Sequence, residues 1–136
     1  MELMRSIMVA ASGLKAQAGR MRVIAENIAN ADSTATTPGG DPYRRKVVTF
    51  RSELDRELGA QVVEIGRVQR DRSDFKMEYD PGNPAANADG YVKRPNVTSL
   101  VEQMDMREAQ RAYEANLNVV GAARRMISRT LDILRG

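Results

Sequence analysis

From Ser99 to Arg135 the chain runs with no proline and a single glycine, Gly121, a stretch with no break in it. It opens on Ser99-Leu100-Val101-Glu102, the Ser-x-x-Glu pattern of a capping box, shortly after Pro95. Glu102, Asp105, Glu108 and Glu114 fall in its first half and Arg124, Arg125, Arg129 and Arg135 in its second, the order that complements a helix dipole. The segment therefore predicts one helix over 99–135. At about 1.5 Å per residue it would span about 55 Å, whereas a globule of 136 residues has a radius of gyration near 14 Å. Such a helix must protrude from any compact body. Two apolar seams run along it: Tyr113, Leu117, Val120, Ile127, Leu131 and Leu134 on one, Ala112, Ala115, Val119, Ala122, Met126 and Ile133 on the other. One partner helix cannot cover both, so the pattern implies assembly from several subunits.

The N-terminal segment has a narrower signal of the same kind. Leu3, Ile7, Ala10, Leu14, Gln17, Met21, Ile24 and Ile28 keep a 3-4 spacing, a heptad seam with one polar insertion, and predict a helix over 2–30. Met4, Met8, Ala11, Ala18 and Ala25 widen the stripe, leaving Lys15, Arg22 and Glu26 for solvent. Gly13 and Gly19 each cost a helix about 1 kcal/mol relative to Ala, and mark either a close helix approach or local flexibility. Asn27 and Asn30 could bond a neighbouring backbone, or Asn30 could cap the helix end.

Between the two helices, Asn30 to Pro42 is rich in Thr, Ala, Gly and Pro and reads as a loop. Lys46–Phe50, Gln61–Val68, Phe75–Tyr79 and Tyr91–Lys93 read as strands, and Arg51–Gly59 as a short helical turn through Leu54 and Leu58. The fold class is thus mainly α with a small β-rich insert.

Cysteine and histidine are both missing from the sequence, which removes thiolate zinc sites, disulfides, cysteine nucleophiles and Ser-His-Asp relays. Aromatic residues make up only 4% and tryptophan is absent, so the core must rest on Leu, Ile, Val, Ala and Met. Asp80 to Gly90 gathers oxygen ligands but lacks the EF-hand spacing and its closing Glu; its Pro and Gly density reads as turn chemistry. Arg44-Arg45-Lys46 reads first as a solvated strand edge, and Glu108, Arg111 and Glu114 as i,i+3 ion pairs. The expectation is therefore no catalytic, cofactor or metal site. Arg5 before the apolar run Ile7–Leu14 imitates a signal peptide, but Glu2 and Lys15 spoil it, and the run is far short of the roughly 20 residues that cross a bilayer.

Ala11-Ser-Gly-Leu-Lys-Ala16 followed by Ile24-Ala-Glu-Asn-Ile-Ala-Asn-Ala31 resembles the N-terminal signature of flagellar rod and hook axial proteins. Pro42-Tyr-Arg-Arg-Lys46, Tyr79-Asp-Pro-Gly82, Gly90-Tyr-Val92, Pro95-Asn-Val97 and Ala109-Gln-Arg-Ala-Tyr-Glu-Ala-Asn116 extend the resemblance over most of the chain, in the order of a rod protein of that family. It implies a structural subunit of the proximal rod in which a helix at 1–30 and a helix at 97–136 pair into an inner coiled-coil, D0-like domain, with residues 31–96 outside. It also implies assembly with further copies of the chain, with FlgB, FlgF and FlgG, and with FliE at the MS ring and export gate. Export would run through the flagellar type III apparatus without a cleaved signal, to a periplasmic rod that encloses the export channel and transmits torque. No enzymatic activity, cofactor, nucleic acid or membrane span belongs to that role.

The expected assembly interface takes Leu3, Ile7, Leu14, Met21, Ile24, Asn27, Ile28 and Asn30 from the first helix. From the second it takes Val101, Met104, Arg111, Tyr113, Asn116, Leu117, Val120, Ile127, Leu131 and Leu134. Two other classes stay open on the residues alone: a helical nucleic-acid binder using the Arg excess, and a hydrolase pairing acids such as Asp71, Asp74 or Asp89.

Overall fold

The computed structural model describes residues 2–136. Two long helices bracket a small β region: α1 (Glu2–Ala29), β1 (Lys46–Asp55), β2 (Ala60–Arg70), β3 (Lys76–Tyr79), β4 (Tyr91–Arg94) and α2 (Ser99–Arg135). Both helices and the irregular segment after α1 fall where the sequence predicts them. α1 ends as its ladder tightens: Asn30 donates its N–H to the Glu26 carbonyl at 3.1 Å, then Ala31 to the Ile28 carbonyl at 3.2 Å.

One element departs from expectation. Arg51–Gly59 is not a helical turn; β1 continues to Asp55 and only 56–59 turns. Cross-strand pairing outweighs the Leu54–Leu58 spacing: Ser52 Oγ meets Gln61 Oε1 at 2.9 Å, and Arg51 Nη2 reaches Glu64 Oε2 at 3.2 Å. The turn itself is built by Asp55, whose Oδ1 accepts the N–H groups of Glu57 and Leu58, and by Gly59, whose φ of 64° suits a residue without a Cβ. β1 and β2 form one two-stranded sheet, and so short a connection requires them to run antiparallel.

The chain divides into two compact units. The first holds α1 up to Met21, residues Thr49–Arg67, and α2 from Arg107. Here Gly13 faces Asn116, and a Cβ on Gly13 would lie 2.7 Å from Asn116 Nδ2. Further along, Arg20 Nη2 lies 3.7 Å from Glu108 Oε2, so moving up α1 means moving down α2 and the two helices are antiparallel. The hairpin lies on the same stretch of α1: Val63 N–H donates to Ser12 Oγ at 3.2 Å, and a Cβ on Gly19 would collide with Ile65 Cδ1. Both helical glycines therefore serve close approach. A two-stranded ribbon is marginal in water on its own, and this packing on α1 is what supports it.

The second unit holds Arg22–Val48 and Val68–Met106. Its antiparallel β3–β4 pair sets Met77 opposite Lys93 and Tyr79 opposite Tyr91. The Asp80–Gly90 connection is turn chemistry throughout. Asn83 Oδ1 accepts from Ala85 N–H, Asn87 Oδ1 accepts from Asp89 and Tyr91 N–H, and Gly90 turns at φ 85° with its Cα against Tyr79. Val23, Ile24, Ala85, Val92, Pro95 and Val97 form the buried core of this unit. The 30–42 loop is pinned to it by Gly39 N–H on the Ala85 carbonyl (3.1 Å) and by Lys93 Nζ on Asp41 (3.0 Å).

Candidate functional site

Two features stand out: a buried polar cluster in the second unit, and apolar side chains that the folded chain leaves uncovered.

The cluster is built around Asn27, near the end of α1 and 1% exposed. Its Oδ1 accepts the Lys46 N–H at 3.0 Å and the Tyr43 hydroxyl at 2.6 Å. Its Nδ2 donates to the Lys46 carbonyl at 2.9 Å and to Glu102 Oε2 at 3.3 Å. All four bonding capacities of the amide are used, and toward Lys46 it acts as a strand partner, taking both backbone groups at the start of β1. Glu102, in the first turn of α2, is 0% exposed. Its Oε1 accepts from Arg45 Nε, so the carboxylate is held from α1 and from the 43–46 segment at once. Arg45 spreads its other nitrogens to Asp71 and Asp105, each at 3.4 Å. Burial pulls the Arg45 guanidinium down, but the Glu102 carboxylate and then Asp71 outweigh it and hold its pKa above the ordinary value. The Tyr43 hydroxyl is pushed up to about 12, first by burial and then by the nearby Glu26 and Glu102 charges.

A second asparagine extends the cluster. Asn96 Oδ1 accepts the Arg45 N–H at 2.7 Å, and its Nδ2 donates to the Asp71 carbonyl at 3.0 Å and to Ser73. Asp71 is held below the usual carboxylate range, first by the Ser73 N–H, then by the Ser73 hydroxyl and Arg45.

Three sequence-based readings change here. Arg44-Arg45-Lys46 is not a solvated edge: all three are half-buried, with Arg44 stacked 4.2 Å over Phe75 and Lys46 Nζ 2.6 Å from Glu26. Glu102 does not serve as the far end of a capping box, since its oxygens go to Asn27 and Arg45. Glu108 reaches Arg20 on α1 rather than a neighbour on its own helix. Tyr43, Arg45, Asn96 and Glu102 are site residues that the sequence patterns do not mark. Glu102 carries one signal, lying seven residues before Ala109 on one helix face, but a lone Glu in a first turn reads equally well as a cap.

The expected interface residues divide by burial. On α1 Ile24 and Asn27 are buried, and Leu3, Ile7, Leu14, Met21, Ile28 and Asn30 are half-buried; the flanking Met4, Met8, Ala11, Ala18 and Ala25 are exposed. Asn30 donates to the Glu26 carbonyl, closing its own helix end. On α2 the fully buried positions are Glu102, Ala109 and Ala123, small or polar rather than large. Tyr113, Asn116, Val120 and Ile127 are half-buried, whereas Val101, Met104, Arg111, Leu117, Leu131 and Leu134 are exposed. The exposure is high at both ends of α2, with Leu100 68% and Met104 62% exposed at its start and Leu131 53%, Ile133 78% and Leu134 77% at its end. Surface of this kind, contiguous along a helix, marks an interaction face rather than a solvated one. Among the described residues no helix is long and apolar enough to cross a membrane.

Both ends of the chain match flagellar family models: residues 7–35 the flagella basal body rod protein model, and residues 88–133 the flagellar basal body rod FlgEFG protein C-terminal model. Paired terminal helices with uncovered apolar faces, carrying those matches, define a structural subunit of the flagellar basal-body rod. The FlgC basal-body rod protein of Agrobacterium fabrum is 54% identical over 127 residues, covering 93% of this chain and 91% of that protein. FlgC of Borreliella burgdorferi is 40% identical over 154 aligned positions and the full length of both chains; FlgC of Salmonella typhimurium is 39% identical over 133, covering 98% of each. The chain belongs to the FlgC family of flagellar basal-body rod proteins. It is a rod subunit of the flagellar basal body, assembling with other rod components in the service of motility.

Proposed function

We propose that the chain works without catalysis, as a proximal-rod subunit whose α1 and α2 pair into an inner coiled-coil layer around the export channel while residues 31–96 lie outside. Copies of the chain would stack with one another and with FlgB, FlgF, FlgG and FliE, linking the rod to the MS ring and export gate and passing torque along the shaft. The subunit would reach the periplasm through the flagellar type III apparatus without a cleaved signal. Its terminal segments, 1–30 and 97–136, would form the assembly domain.

The observation that carries this reading is a pair of rows on α2, Leu117, Leu131 and Leu134 on one and Val119, Met126 and Ile133 on the other, large apolar side chains that the described residues leave about half or more exposed. Each buried leucine or isoleucine contributes about 1.5–3 kcal/mol, so the rows supply a strong drive toward neighbouring helices once several subunits meet. Val101 and Met104 near the start of α2 extend the same drive, and Arg111 on the exposed side supplies a charge that sets register.

A photo-crosslinking residue in place of Leu134 tests it in cells of the source bacterium. Adducts with another rod subunit are expected. Adducts confined to proteins outside the rod would contradict the reading.

A further inference from the structure

We propose that Asn27, Arg45 and Glu102 are positioning residues that set the axial register of α1 against α2. The apolar and small residues of the seam would supply the attraction without choosing the alignment.

Small side chains make up the buried part of the seam between the helices in the first unit. The larger Val23 and Ile24 are buried in the second unit; in the first the buried positions are Ala109 and Ala123 on α2, with Asn116 between them, and Ala10 and Ala16 on α1, with Gly13 at the close approach to Asn116. Side chains this small present similar surfaces at every heptad. A slip of α1 past α2 by seven residues would again set small residue against small residue, at little cost in buried area. The charged contact across it, Arg20 Nη2 to Glu108 Oε2 at 3.7 Å, is open to solvent on the Glu108 side and adds little to the choice of alignment.

Asn27 and Glu102 do select one. The Asn27 amide bonds the Glu102 carboxylate directly, at 3.3 Å, and both side chains are almost wholly buried. In the sequence, positions 13 and 27 are two heptads apart, as are 102 and 116. Both helices run unbroken between these positions, α1 over Glu2–Ala29 and α2 over Ser99–Arg135. A slipped pair would leave the Glu102 carboxylate buried with no amide to meet it, and the Asn27 amide with an apolar neighbour. A buried polar group stripped of its partner is the strong penalty in such a seam, and a single buried polar pair is the best-attested way of fixing helix register. Arg45 completes the device by neutralising Glu102 from the third segment. That segment is itself fixed to Asn27 through Lys46 and Tyr43, so the register cannot shift without undoing the start of β1.

The chain has no cysteine of its own, which makes disulfide trapping a direct readout. In purified full-length chain, Gly13→Cys is combined in turn with Asn116→Cys, Ala109→Cys and Ala123→Cys, and crosslink yields are compared under mild oxidation. With the cluster intact, the 13/116 pair is expected to dominate. In the apolar background Asn27→Leu, Arg45→Met, Glu102→Met, helices should still pair, with yield lost from 13/116 and gained at 13/109 or 13/123. An unchanged preference for 13/116 would overturn the proposal. The milder Asn27→Ala background is read the same way, in case the triple substitution prevents folding. Loss of all crosslinks and of helical circular dichroism in both backgrounds would also overturn it, because the three residues would then supply stability rather than alignment. This reading does not depend on which rod neighbours the subunit meets.

Discussion

The Asn27 side-chain amide donates to Glu102 Oε2 at 3.3 Å, tying the last turns of α1 to the first turn of α2. The sequence places these residues 75 positions apart, and the bond exists only when the fold has closed around the insert. Its consequence for the molecule is that the two terminal helices are not independent arms. They are joined at one end through a cluster in which each polar group depends on the others.

The charge inside that cluster sets a first expectation. Arg45→Met leaves the fully buried Glu102 carboxylate without its cation and should destabilise the unit by about 3 kcal/mol. Arg45→Met combined with Glu102→Met removes both charges and should recover most of the loss, because well-packed apolar residues replace a buried ion pair at little cost. Urea unfolding followed by circular dichroism measures both. Additive losses in the double variant would show that the pair does not act as a unit.

Tyr43 reports on the same cluster at high pH. Its folded pKa is raised to about 12 from an ordinary value near 10, so the neutral phenol is favoured in the folded chain. The stability this contributes is complete below about pH 10 and is lost as pH rises from there through about 12. The difference in phenolate absorbance between the parent chain and Tyr43→Phe should therefore titrate near 12. A midpoint near 10 would mean that the hydroxyl is not buried beside Glu26 and Glu102.

On α2, Leu131→Asp places a charge on a side chain that is 53% exposed within the chain. Purified variant and parent should have stabilities within about 0.5 kcal/mol of one another. Incorporation into rods, followed by motility on soft agar and by immunoblot of basal bodies, should nevertheless fail. Normal motility would remove Leu131 from the interface.

The glycines separate in the same way. A Cβ on Gly121 meets nothing closer than Arg125 Nη1 at 3.4 Å, so Gly121→Ala should raise helix stability by about 0.8 kcal/mol. Gly13→Leu drives a side chain into Asn116 and should part the helices despite its better helix propensity. Thermal melts of the two variants should move in opposite directions; a shared rise would deny the close approach at Gly13.

The helices were legible in the sequence because their signals are local: a 3-4 apolar spacing, a terminal order of acids and bases, and an absence of proline. The strand positions were legible for the same reason. The extension of β1 through Asp55 was not, since the exchange of Arg51 with Glu64 and of Ser52 with Gln61 depends on pairing that no single window contains. The polar cluster was hidden for a deeper reason. Asn27 reads as a helix-end asparagine, Arg45 as one of a basic run and Glu102 as a capping acid, and each local reading is sound. Only the fold brings 27, 45 and 102 into one interior, where the same side chains become mutual partners. The large apolar residues of α2 were visible as stripes, but the apolar residues it buries are the small Ala109 and Ala123, which hydrophobic periodicity ranks lowest.

Membership of the rod is open to direct test by tagging the chain in its source bacterium, isolating detergent-resistant basal bodies, and probing them by immunoblot. Retention of the tagged chain with the rod, together with loss of motility when its gene is deleted, is the predicted result. Its consistent absence from intact basal bodies of motile cells would contradict the account.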